Sequence, residues 1–207
     1  MTDPEHSGQR AQVRGARFRE RVLDATIACI TEAGVDNVGF ADVARKAGVN
    51  GVSLYRRWKT VPRLLIDALL TRTQAEVPIP DTGSVHRDLE IFATELTKFA
   101  QTPIGTALIR FTVVSADSPE VDVSRREFWM QRLTAAEEII ERGKNRGEVD
   151  SSTDSRLVVL TLGGLVHIYV THLGTDIPTS LPHQAVSLIL SGVTSGVTQA
   201  RTNAQMG

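Results

Sequence analysis

A single cysteine, Cys29, stands in 207 residues. It excludes an internal disulfide and any cysteine-rich zinc module. Neither sign of charge is in excess: 23 Lys+Arg against 24 Asp+Glu leave a net charge of −1. A polybasic chain that coats polyanions along its whole length is thereby excluded. Long hydrophobic runs are missing. The longest apolar stretch, Leu157 to Val170, is interrupted by Thr161 and His167 and falls short of the ~20 residues that span a bilayer. Met1 to Arg17 is polar, with Arg10, Arg14 and Arg17 and no apolar centre, so it does not read as a secretory signal. A soluble chain in the reducing cytoplasm is expected. Sustained alternation of apolar and polar residues is also missing, as are internal repeats and low-complexity tracts.

Catalytic patterns are absent too. The sequence has no nucleophile elbow, no phosphate-binding glycine loop and no zinc motif. Glu137, Glu138 and Glu141 cluster, but beside Arg142, Lys144 and Arg146, as on an ordinary charged helix face. His167 and His172 lie five apart, not at the i, i+4 spacing that sets two ligands on one helix face. No metal, no cofactor and no enzymatic activity are expected.

What is present begins with composition. Apolar residues at 41% and charged residues at 23% mark a globular chain with a real core. The balanced charge hides an asymmetry. Residues 1–72 carry 12 Lys+Arg and 8 Asp+Glu, net +4; residues 73–207 carry 11 and 16, net −5. A basic part joined to an acidic part suggests that only the first meets a polyanion.

Gly, Pro and Asp/Ser/Thr clusters divide the chain into helical blocks. A flexible basic arm is expected over residues 1–15. Helix 1 follows from about Ala16 to Ala33, with Phe18, Val22, Ala25 and Cys29 in one apolar row and Gly34 as its stop. Helix 2 is expected over Phe40 to Ala47, helix 3 after Asn50 to Trp58, and helix 4 from near Pro62. The stretch Val77-Pro78-Ile79-Pro80-Asp81-Thr82-Gly83-Ser84 reads as a boundary. Helical patterns then cover about 85–101, 104–116, 119–146, 154–173 and 181–199. The expected fold is all-α. A helix-turn-helix domain at 16–76 precedes a helical ligand-binding and dimerisation domain at 77–207.

The chemistry concentrates between Phe40 and Trp58. Val43, Ala44 and Ala47 share a helix face, Gly48 permits the positive φ of a tight turn, and Val49 can plug the corner. Leu54 turns inward. This is the pattern of two short helices crossing steeply at a small elbow, a helix-turn-helix. Ser53, Tyr55, Arg56 and Arg57 remain outside on helix 3, and Asn50, Gly51 and Val52 lie at its N-terminus. Free N–H groups there favour phosphate. Arginine pairs with guanine edges, and Val52 can touch a thymine methyl. Lys59 and Thr60 suit phosphate contacts that fix register. Arg10, Arg14, Arg17 and Arg19 could reach a minor groove.

Residues 16–72 resemble the N-terminal three-helix DNA-binding domain of TetR-family transcriptional regulators. The resemblance is carried by Asp42-Val43-Ala44, then Ala47-Gly48-Val49-Asn50, then Leu54-Tyr55-Arg56-Arg57-Trp58, followed by Leu64-Leu65. It implies a two-domain all-α homodimer on a palindromic operator, released by a small molecule that enters the C-terminal domain. It also implies groove-facing roles for Asn50, Gly51, Val52, Ser53, Tyr55, Arg56 and Arg57. Gly39 and Phe40 would stand near phosphate. Three positions depart from the family: Gly39 replaces a capping threonine, Val52 a glycine, and Val61 a phosphate-touching lysine. Lys59 or Arg63 can substitute for the last. The run from Glu137 through Arg146-Gly147-Glu148-Val149 into the final apolar helices resembles one C-terminal subclass.

In the C-terminal part, Phe99, Phe111, Trp129 and Arg132 can line one wall of a pocket, with His167, Tyr169 and His172 as polar handles. The next-to-last helix is apolar nearly all round, through Leu157, Val158, Val159, Leu160, Leu162, Leu165, Val166 and Ile168. Gly163 and Gly164 would let another helix close. Val186, Leu188, Ile189, Leu190, Val193 and Val197 give the last helix a broad apolar face. Two such helices from each subunit would form a four-helix bundle. The expected function is a ligand-responsive transcriptional regulator, a repressor. The alternatives are a helical small-molecule carrier or enzyme in which residues 40–58 are only a corner, and a protein-interaction adaptor that binds another chain through helices 154–199.

Overall fold

The computed structural model describes residues 4–113 and 119–192, and these are helical almost throughout. The helices are α1 (Pro4–Ala33), α2 (Phe40–Ala47), α3 (Gly51–Trp58), α4 (Val61–Glu76), α5 (Val85–Ala100), α6 (Pro103–Val113), α7 (Pro119–Asn145), α8 (Ser155–Ile168) and α9 (181–192). A 3-10 turn, Val35–Asn37, follows α1, and a π-helical turn, Tyr169–Leu173, extends α8.

Helix α1 is longer than its apolar row. Its buried residues Val22, Ala25, Thr26, Cys29 and Ile30 repeat at helical spacing, and the buried Thr26 hydroxyl is satisfied by the Val22 carbonyl at 2.8 Å. The helix nevertheless starts at Pro4, so the stretch expected as a flexible arm is helical from there. Proline is tolerated in a first turn, and Glu5, Gln9, Arg10, Ala11 and Gln12 are sound helix formers. Arg19 does not reach outward. It pairs with Asp67 on α4 and donates to the Thr71 hydroxyl at 3.1 Å. Arg14 and Arg17 are exposed, and the Arg10 side chain lies outside the described part.

One continuous core runs from α1 through α4 into α5, α7 and α8. Val77–Ser84 separates α4 from α5, as the proline-rich boundary suggested, yet Val77 itself is fully buried. Arg132 of α7 donates to its carbonyl at 2.9 Å. Helix α4 packs on α1 and α3 at one end and on α5, α6 and α7 at the other. Glycine is obligatory at the α5–α6 corner. A Cβ on Gly105 would lie 1.9 Å from the Phe99 carbonyl oxygen.

Among the described residues, α8 is buried on one side only. Ser155, Val158, Val159, Leu162 and Val166 face the core, while Leu157, Leu160 and Ile168 are 62%, 48% and 50% exposed. Among the described residues, nothing lies within 4 Å of a Cβ placed on Gly163 or Gly164. Ser155–Leu173 has 19 residues at a mean hydropathy of 1.4, long and apolar enough by those measures to cross a membrane. Val193 and Val197 lie outside the described residues.

Candidate nucleic-acid interface and cavity

Helices α2 and α3 are joined at Gly48, whose φ of 62° and ψ of 42° need the left-handed region. Leu54 and Trp58 are 0% and 5% exposed and anchor α3 from below. Four positions apart, they leave the opposite face free. Val52 and Tyr55 stand 72% and 61% exposed, and Asn50, Gly51, Arg56, Arg57 and Lys59 are exposed beside them. Ser53 is half-buried. The residues expected to face the groove thus form one outward surface at the basic end of the chain.

The surface is stiffened from behind. Phe40 meets Tyr55 edge to face, with ring centroids 6.5 Å apart, so Phe40 supports the tyrosine rather than offering itself outward. Arg57 lies over the Trp58 ring at 5.4 Å. Trp58 also stacks on Phe18 of α1 at 6.3 Å and donates through Nε1 to Asp67 Oδ2 at 2.8 Å. Asp67 therefore binds α1, α3 and α4 at one carboxylate. The sequence did carry a signal for it: one acid sits between Leu64-Leu65-Ile66 and Ala68-Leu69-Leu70, and a charge in such a run needs a partner.

The caps differ from expectation in three ways. The Val52 N–H is not free for phosphate, because Asn50 Oδ1 accepts it at 2.8 Å. At α2, Gly39 has no side chain to cap the helix. Asp42 instead accepts from the Gly39 N–H at 3.3 Å, so this N–H is also engaged. At Lys59 the chain takes φ 65° and ψ −45°, with the Thr60 N–H closing onto the Trp58 carbonyl at 2.8 Å. That is a γ-turn of positive φ, a strained conformation for lysine. Thr60 then caps α4, accepting from the Arg63 N–H at 3.5 Å.

A cavity of about 310 Å³ lies among α4, α5, α6, α7 and α8. Phe99, Trp129, Arg132 and His167 line it, as the sequence suggested. Thr73, Phe92 and Phe128 line it too; they were not singled out from the sequence. Tyr169 is not among the lining residues. Two positions beyond His167, it turns to another side of the helix and packs on Ala100, Ile109, Val166 and Ile177. The side chain of Phe111 lies outside the described part. Burial lowers the Arg132 pKa. His167 is held below the ordinary imidazole value, first by burial and then by His172, which leaves it neutral at pH 7.

The carboxylates of α7 form a clamp. Glu137 pairs with Arg156 at 2.6 Å, and Glu141 accepts from Ser155 at 2.5 Å and Lys144 at 2.9 Å. They hold α8 against α7. Burial pushes the Cys29 thiol up, away from nucleophilic use.

An all-α chain with an outward α3 on a helix-turn-helix defines a DNA-binding regulator. Comparison with known proteins supports this and makes it specific. The family model for bacterial regulatory proteins of the tetR family matches residues 22–61, and that for the tetracyclin repressor-like C-terminal domain matches residues 79–189. The HTH-type transcriptional regulator YdeS of Bacillus subtilis is 24% identical over 185 residues, covering 89% of this chain and 93% of the relative. The TetR-family regulator SCO0332 has a crystal structure of the same fold. Its TM-score is 0.76 at 24% identity, covering 85% of this chain and 98% of that one. FadR of Bacillus subtilis in complex with stearoyl-CoA also shares the fold, with a TM-score of 0.62 at 19% identity and coverages of 84% and 98%. The chain belongs to the TetR family of transcriptional regulators.

Proposed function

We propose that the protein is a cytoplasmic repressor that binds a palindromic operator as a homodimer and leaves it when a small molecule enters the cavity. One observation carries the DNA contact: Val52, Tyr55, Arg56 and Arg57 stand together on the exposed face of α3. Tyrosine and arginine suit base edges and phosphates, and the exposed valine suits a thymine methyl. Lys59 and Arg63 flank them for the backbone. Gly39 and Phe40 then serve to position the face.

The second copy is supported by α8 and α9. Leu157, Leu160 and Ile168 form an uncovered row, and Leu188 of α9 is 75% exposed. A monomer leaves these four residues in water; a two-fold partner presents the same row to them. An interface role also suits the apolar stretch 155–173, since α8 is clamped to α7 by an ion pair and a hydrogen bond. Two-fold symmetry sets the two α3 helices one DNA turn, or a multiple, apart.

Release is supported by α4. Its 16 residues span roughly 24 Å at 1.5 Å per residue. Asp67 holds Trp58 of α3, and six residues on Thr73 lines the cavity. A ligand that prefers one tilt of α4 thereby prefers one spacing of the α3 pair. Reversing the population needs about 5.5 kcal/mol of differential affinity. FadR, of the same fold, is known in complex with stearoyl-CoA, which supports a small-molecule effector here.

The test is binding to the DNA flanking the protein's own gene, with Arg56→Ala, Arg57→Ala and Tyr55→Ala. Each variant is expected to lose affinity. Affinity equal to the parent's in all three contradicts the assignment.

A further inference from the structure

Among the described residues the cavity lining carries one charge. Arg132 is the one ionised at neutral pH; Thr73 and the neutral His167 are the other polar side chains in that described lining, and the rest of it is apolar, aromatic or glycine. The guanidinium has five N–H donors. One nitrogen, Nη2, donates to the Val77 carbonyl, and among the described residues no carboxylate pairs with Arg132. A half-buried cation without a counterion is an unfavourable arrangement in an apolar setting. Elsewhere in the chain, half-buried arginines are paired: Arg19 with Asp67, Arg142 with Asp81, Arg156 with Glu137.

We infer that the cavity selects an apolar molecule bearing one carboxylate, which pairs with Arg132 while its hydrocarbon part lies on Phe92, Phe99 and Phe128. The size follows from the space. About 310 Å³ holds about ten groups of water size at about 30 Å³ each, which suits a medium-chain or bicyclic carboxylic acid. Arg132 also answers to α4 through the Val77 carbonyl, so a bound carboxylate sits beside the helix that the release mechanism moves. This inference rests on the cavity being the effector site and adds the chemistry of the effector.

The test uses decanoate, 1-naphthoate and decanol with the full-length protein at pH 7.5, without DNA. Binding is read by calorimetry and by fluorescence, because Trp129 lines the cavity. Decanoate or naphthoate is expected to bind, and decanol about tenfold or more weaker than decanoate, the range of a charge-assisted pair. Arg132→Gln is expected to remove that preference by weakening decanoate and sparing decanol, and Arg132→Lys to restore most of it. If Arg132→Gln does not fold, the decanoate-to-decanol ratio of the parent decides. Equal binding of decanoate and decanol by the parent overturns the inference, as does an unchanged preference in Arg132→Gln. Failure of both carboxylates to bind overturns it as well. A protein that binds decanoate yet holds no duplex leaves this chemistry standing and removes the operator reading instead.

Discussion

Trp58 Nε1 donates to Asp67 Oδ2 at 2.8 Å, while Arg19 holds the same carboxylate from α1. The last residue of α3 is therefore fastened to a helix that walls the cavity. Asp67→Ala leaves a buried indole N–H and an arginine without their acceptor. A loss of about 1–3 kcal/mol in unfolding free energy is expected. Asp67→Asn keeps an oxygen for Trp58 and should fall between the two. Urea denaturation of the three proteins checks the order.

The outward residues should act on binding without acting on stability. Arg56→Ala removes an exposed side chain and is expected to shift unfolding by less than about 0.5 kcal/mol. Operator affinity should fall by about 1–3 kcal/mol if the arginine reads a base. Arg57→Ala should cost about 0.5–1 kcal/mol of stability in addition, through its contact with the Trp58 ring. Thermal melts beside DNA titrations separate the two effects.

Lys59 opposes stability and binding. Its φ of 65° is open to glycine at little cost, so Lys59→Gly is expected to stabilise the fold by about 1 kcal/mol. The same change should weaken DNA binding and reduce the salt slope by about one phosphate contact. A variant that gains stability and keeps the full slope would show that Lys59 does not meet the backbone.

Much of this was legible beforehand, and the reasons are local. The apolar rows at helical spacing, Gly48 at the elbow and Asn50 as a cap depend on neighbours within one or two turns. So does the outward set on α3, once Leu54 and Trp58 are placed inside. The cavity was legible only in part. Trp129, Arg132 and His167 stood out, whereas Thr73 and Phe92 required knowing which faces of α4 and α5 converge. Tyr169 was misplaced because two positions along a helix change its side. Gly163 and Gly164 suggested a close helix approach, and among the described residues nothing lies within 4 Å of a Cβ placed on either. The long-range tie of Arg19 and Trp58 to Asp67 depends on tertiary packing that periodicity does not encode.

The α5–α6 corner carries a steric prediction. Gly105→Ala would set a Cβ 1.9 Å from the Phe99 carbonyl oxygen and 2.9 Å from the Ala100 Cα, backbone atoms that cannot swing aside. A loss of about 3 kcal/mol is expected, together with weaker ligand binding because Phe99 lines the cavity. Chemical denaturation of the variant is the check.

His167 gives a pH dependence with a definite sign. Burial holds its folded pKa below the ordinary value of 6.5, so the unfolded chain takes the proton first as pH falls. Its contribution to stability is full above the unfolded pKa and is lost from near pH 6.5 downward, until the folded form also protonates. The melting temperature should drop between pH 7.5 and 5.5, and His167→Gln should lessen that drop. An identical drop in the variant would assign the dependence to other groups.

The proposed pairing of two α3 faces about a two-fold axis is tested most directly by selecting bound duplexes from a random pool with the full-length protein. A palindromic consensus is predicted, with half-sites one helical turn or a multiple apart, and it should disappear when Tyr55, Arg56 and Arg57 are all alanine. Enrichment of no sequence, or of the same sequence by the triple variant, would contradict it.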